Sequence, residues 1–177
     1  MTVQTLAIAI DSNIATYLLQ AMYGELDGTN LDEERKAAFR IFLWSDIPLG
    51  VTPAVKSEIE KIPTLRDRIR HERLEEIHLI DIGLDMVQAH VHVRASELRG
   101  FHTGEADCVA LAEAELSNCG ALLTLDDKLI RHLQLKSKVR IVKPSEYWLA
   151  LAIPRGTPPR WSPAATNPLF SAPWWHW

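Results

Sequence analysis

Short, nearly unbroken apolar runs alternate along this chain with longer stretches in which apolar residues recur at helical spacing. The runs are residues 5–10, 48–51, 78–80, 121–125 and 139–142. Runs of that length with apolar residues on both faces predict strands buried on both sides of a parallel sheet. Between them the pattern predicts helices over 14–22, 31–44, from 53 past Glu58, 64–76, 84–98, 104–116, 128–133 and 144–150. On the second of these, Ala38, Ile41 and Phe42 share one face. Local chemistry marks several ends: Ser12 and Asn13 can cap the first helix, Thr52 caps a helix that Pro53 opens without losing a hydrogen bond, and Gly100 stops another. The polar loop 24–30 is expected at the surface. Strands alternating with helices predict a three-layer α/β/α sandwich around a parallel sheet of about five strands.

Composition changes the picture at one place. With 177 residues, 47% of them hydrophobic and 24% charged, the chain has the makings of one ordinary domain. After Ile153, however, stand six of its ten prolines and four of its six tryptophans, with only Arg155 and Arg160 as charges. The expected division is therefore a domain over 1–152 and a Pro- and Trp-rich tail over 153–177. Tryptophans left in water would form an adhesive patch, so the tail is expected to dock on the chain's own surface, a second copy or a partner.

Charge narrows the partners less. A formal net charge of −4 argues against holding nucleic acid by bulk positive charge, yet leaves room for a local basic patch. Lys128, Arg131, Lys136, Lys138, Arg140 and Lys143 either receive nucleic-acid phosphates or form a solvated face. Arg66, Arg68, Arg70 and Arg73, interleaved with acids, predict a salt-bridged face. Cys108 and Cys119 lack metal-ligand spacing and are expected to pack as small hydrophobes, which suits a reducing compartment. The seven histidines also lack ligand spacing and are expected at the surface. The first 13 residues have no basic segment, and Asp11 interrupts their apolar run, so neither a signal peptide nor a membrane span is expected. The expectation is a cytoplasmic protein.

The candidate chemistry lies in carboxylates. Ligands of an open parallel sheet bind beyond the carboxyl ends of its strands. Asp11 leaves the first strand there and Asp126 leaves the fourth. Glu58 follows the second strand by about two helical turns, and Asp107 opens the helix beside the fourth. Each acid taken singly could merely cap or complement a helix, but four at one edge would repel one another unless cations or protons neutralised them. Oxygen donors favour Mg²⁺ or Mn²⁺ over Zn²⁺, and a pair of such ions suits phosphodiester hydrolysis. Helical geometry favours Asp107 over Glu105, which is turned roughly 160° away at about 100° per residue.

The segments AIAIDSNIATYLL around Asp11, VTPAVKSEIEKI around Glu58, GEADCVALAEAE around Asp107 and ALLTLDD around Asp126 together resemble the PIN domains, and among them the VapC-like toxins. The resemblance spans most of residues 5–145. It implies a PIN-like nuclease domain in which Asp11, Glu58, Asp107 and Asp126 are the catalytic, metal-binding acids, with Glu58 preferred to Glu60. It further implies a polar second layer of Asn13 and Thr124, with Asp127 as an auxiliary ligand, while the basic run just beyond Asp126 offers Lys128 and Arg131 as candidate RNA contacts. The implied activity is that of an Mg²⁺- or Mn²⁺-dependent endoribonuclease, the toxin of a type II toxin–antitoxin pair. Its implied partners are an RNA substrate, a small antitoxin and a second copy of itself. The alternative is a PIN-like module that binds RNA or a protein without cutting. A phosphatase of the haloacid-dehalogenase type would need a second Asp where Asn13 stands, and a dinucleotide-binding fold would need a Gly-rich turn after the first strand.

Overall fold

In the computed structural model, which describes residues 7–83 and 85–177, five parallel strands form one sheet. They are β1 Ile8–Ile10, β2 Leu49–Val51, β3 Ile80–Asp81, β4 Ala121–Leu123 and β5 Arg140–Val142, in the order β3-β2-β1-β4-β5. Register is set by Ile8 opposite both Leu49 and Ala121, and by Leu122 opposite Ile141. Among the described residues, eight helices connect and cover them: α1 Ser12–Met22, α2 Asp32–Trp44, α3 Pro53–Glu60, α4 Leu65–His78, α5 Gln88–Arg99, α6 Glu105–Leu116, α7 Asp127–Leu133 and α8 Pro144–Ala150.

The two-residue period of the strands divides the core. Ile8, Ile10, Leu49, Val51, Leu123 and Val142 pack with α1, α2, α3 and α8 on one side. Ala7, Ala9, Leu122 and Ile141 pack with α5, α6 and α7 on the other. This is the three-layer α/β/α sandwich that the apolar runs predict. Gly50 is required between β2 and β3, because a Cβ there would stand 2.7 Å from the Ile80 carbonyl oxygen.

Several boundaries move. Helix α4 runs on through His78, so β3 begins two residues later than the apolar run suggests. The fourth strand stops at Leu123, because the Thr124 hydroxyl accepts the Asp126 N–H at 3.0 Å and turns the chain. Helix α5 starts at Gln88; the start expected at Leu84, and the first strand's beginning at Thr5, lie outside the described residues.

Helix α2 departs from a one-sided pattern. Ala37, Ala38, Phe39, Ile41, Leu43 and Trp44 are all buried, as befits a helix covered on both sides. Residues 153–177 supply the second cover. The Arg160 N–H donates to the Leu43 carbonyl at 2.8 Å, Trp44 Nε1 donates to the Thr157 carbonyl at 2.8 Å, and Arg40 donates to the Trp174 carbonyl at 2.6 Å. Short 3-10 turns at Pro168–Ser171 and Pro173–Trp175 seat Leu169 and Trp175 in the core on this side of the sheet. Trp177 meets Trp148 edge-on at 5.0 Å between centroids, with the Arg40 and Arg155 guanidinium groups against its ring.

Candidate metal centre

Chain order in the sheet reverses between β1 and β4, the kind of switch point at whose carboxyl edge open parallel sheets bind ligands. Asp11 stands there immediately after β1. Its own N–H donates to the Leu123 carbonyl of β4 at 3.1 Å, and its Oδ1 accepts the Ile14 N–H at 2.7 Å, capping α1. Backbone bonds on both sides thus fix where the carboxylate points.

The fully buried Thr124 links two acids. Its hydroxyl hydrogen-bonds to the Asp11 carboxylate and accepts the Asp126 N–H. Asp126 in turn caps α7, with Oδ1 accepting from the Lys128 and Leu129 N–H groups at 2.7 and 3.0 Å. Asp107 enters from the first turn of α6 and Glu58 from α3. Glu113, buried on α6, accepts the Ala54 N–H at 2.9 Å and so ties the helix carrying Asp107 to the start of the helix carrying Glu58.

Two of the other acids lie close enough to Asp11 to act on it. Burial raises the Asp11 carboxyl from 3.8 to about 6, and the nearby charges of Asp107 and Glu58 push in the same direction. The bonds from Thr124 and Ile14 oppose this shift without cancelling it. Among the described residues, no lysine or arginine forms an ion pair with Asp11, Glu58, Asp107 or Asp126. A divalent cation would supply the missing positive charge, and the donors present fit one.

One member of the cluster is a histidine that the sequence pattern assigns to the surface. His102 is only 5% exposed, and its Nε2 lies 3.2 Å from Asp107 Oδ2. Single donor atoms of His102, Asp107 and Asp126 all lie within 4.8 Å of one another. Its Nδ1 is 3.4 Å from Nδ1 of His132 on α7. His71 is buried as well, against the Thr16 hydroxyl at 2.9 Å, so two histidines depart from the surface expectation. The available signal for His102 was its place in a short loop bounded by Gly100 and Gly104, just ahead of acids. Linear spacing cannot show that this loop folds back onto its own helix. Gly104 permits it, since a Cβ there would lie 2.1 Å from Asp107 Oδ2 and 2.7 Å from His102 Nε2.

Other sequence candidates lie aside. Asp127, exposed as the first helical residue after the capping Asp126, pairs with Lys143 Nζ at 2.8 Å, which lowers its carboxyl pKa. Asn13 is exposed on the first turn of α1, and Lys128 and Arg131 are exposed on α7. Glu105 points outward to Arg99 at 3.1 Å, and Glu60 is exposed. Cys108 and Cys119 are buried free thiols, each pushed up to about 11 by burial, which makes them packing groups at neutral pH. The arginines of α4 are in part salt-bridged, Arg70 to Glu25 at 2.8 Å and Arg68 to Glu72 at 3.8 Å. No described helix is long and apolar enough to cross a membrane.

No protein-family model matches the chain, and no curated protein matches it. Among solved structures, a chain from the crystal structure of VapBC2 from Rickettsia felis, bound to a DNA fragment from their promoter, is similar to it. That similarity has a TM-score of 0.47 and 16% sequence identity, and covers 77% of this chain and 97% of that one.

Proposed function

We propose that this chain is a divalent-metal-dependent endoribonuclease of the PIN type, and the VapC-like toxin of a toxin–antitoxin pair. The observation that carries the reading is the half-buried Asp11 carboxylate, raised to about 6 mainly by desolvation beside Asp107 and Glu58, with no lysine or arginine paired to it among the described residues. Such an arrangement is costly in the metal-free chain and suits a centre that holds cations. Asp11, Glu58, Asp107 and Asp126 are the residues that would hold Mg²⁺ or Mn²⁺, and a cation there supplies Lewis acidity for phosphodiester hydrolysis. Thr124 positions Asp11 and Asp126 relative to each other through its shared hydroxyl. Lys128 and Arg131 are the proposed RNA contacts; both are exposed on the helix that Asp126 caps.

Residues 1–152 are the nuclease domain in this reading and 153–177 its docked extension. An RNA substrate, a small antitoxin protein and a second copy of the chain are the proposed partners, in the cytoplasm. The test is cleavage of a mixed RNA by the purified chain with Mg²⁺ or Mn²⁺. The wild type and Asp127→Ala are expected to cut, leaving 5′-phosphate and 3′-hydroxyl ends, whereas EDTA or Asp11→Asn abolishes cutting. Products ending in 2′,3′-cyclic phosphate would overturn the mechanism. Metal-loaded, folded protein that binds RNA without cutting it would make the chain a binding module.

A further inference from the structure

We infer that His102 is a metal ligand through Nε2, so that Asp107 joins two unlike ends of the centre, an all-oxygen end at Asp11 and Glu58 and a mixed nitrogen–oxygen end at His102 and Asp126. This deepens the nuclease reading and rests on it. It alters the donor set, since a sequence reading based on carboxylates alone contains no nitrogen.

The contact between His102 Nε2 and Asp107 Oδ2, at 3.2 Å, needs a positive centre between them. A carboxylate oxygen only accepts, and a ring nitrogen without a proton also only accepts, so in the metal-free chain this contact holds a proton between the two atoms. A cation can take the place of that proton. The opposite ring nitrogen has a partner suited to the exchange: Nδ1 faces His132 Nδ1 at 3.4 Å. One of these two nitrogens must donate and the other accept. With the proton on Nε2, His132 donates to Nδ1; with Nε2 on a metal, the Nδ1–H donates to His132. Metal-binding histidines commonly have such a partner on the second nitrogen, which fixes tautomer and ring plane.

Burial and backbone support the same assignment. His102 is 5% exposed, so its ring cannot swing away into water. The space that converges on Nε2 and Asp107 Oδ2 lies over Gly104, where any Cβ would intrude on both atoms. Asp126 brings a third donor atom within 4.8 Å of the other two, from beyond the end of β4. An imidazole in the donor set moves preference from Mg²⁺, which favours oxygen, toward transition-metal dications such as Mn²⁺.

The test loads the full chain with one equivalent of Mn²⁺ and reads ¹⁴N hyperfine coupling by pulsed electron paramagnetic resonance. Imidazole coupling is expected in the wild type and in His132→Gln, and is expected to vanish in His102→Gln. Mn²⁺ affinity of His102→Gln should fall by about tenfold or more, the loss produced even by removing the partner of a metal ligand, with a smaller change for Mg²⁺. Should the glutamine variant fail to fold, His102→Asn takes its place. Mn²⁺ bound without ¹⁴N coupling, or coupling that survives loss of His102, overturns this assignment and leaves the nuclease reading standing. A folded chain that binds no Mn²⁺ at all overturns both.

Discussion

Replacing Asp11 by Asn separates the cost of the desolvated charge from its use. The amide is nearly isosteric, its oxygen can still accept the Ile14 N–H, and the helix cap survives. What disappears is a charge whose carboxyl is raised from 3.8 to about 6. A rise of that size corresponds to about 3 kcal/mol. The folded-state pKa lies above the unfolded one, so this contribution to stability is fully present below about pH 4 and is lost as pH rises through about 6. In EDTA at pH 7.5, Asp11→Asn should therefore be more stable than the wild type by about 3 kcal/mol, and the gap should close toward pH 4. Urea denaturation monitored by circular dichroism across that range measures it. Added Mg²⁺ should close the gap at about a hundred times its dissociation constant, where it adds about 3 kcal/mol to the form that binds it, and reverse the order at about a thousand times, where it adds about 4 kcal/mol. A variant less stable than the wild type at pH 7.5 in EDTA, or a gap that does not change with pH, would refute the reasoning.

Contacts at Gly104 and at Trp175 support two more predictions. Gly104→Ala keeps an ordinary backbone angle, φ −70°, yet its methyl would occupy the place of Asp107 Oδ2; titration calorimetry should show divalent-cation affinity falling about tenfold while the urea midpoint stays unchanged. Trp175→Ala removes a ring that is 4% exposed and whose Nε1 donates to the Leu169 carbonyl; it should cost about 4 kcal/mol in urea denaturation and open residues 153–177 to limited proteolysis, and a cost below about 1 kcal/mol would show that this segment contributes little.

How much structure is legible in the chain depends on the range of the interaction that decides it. Strands β1, β2 and β4 were legible because burial on both faces leaves an uninterrupted apolar signature, whereas β3 is an exposed edge strand of which the apolar run holds only Ile80; Thr52-Pro53 announced α3 because capping chemistry is local. That Asp11 and Asp126 lie at one edge, after neighbouring strands, could be expected from topology alone, since parallel strands direct all their carboxyl ends to one edge. The end of β4 was less legible: Thr124 and Leu125 look like strand residues, and only the hydroxyl bond to the Asp126 N–H shows where the chain turns.

Tertiary structure decided the rest, wherever one segment's environment is supplied by a distant one. The expected surface placement of His102 failed because a five-residue return to Asp107 and the facing His132 make it a buried group, and no spacing rule encodes that loop. Asp127 and Asp126 are adjacent in sequence, yet Asp126 caps α7 and Asp127 meets Lys143, a choice made by helix geometry and by a lysine just after β5. Helix α2 carries apolar residues on both sides because residues 153–177 lie over its outer face. The sequence by itself determined which segments are strands and helices and which edge collects the acids, because local periodicity and chain direction suffice for that. Only the folded chain determined which donor atoms come together, because that depends on contacts between residues far apart along it.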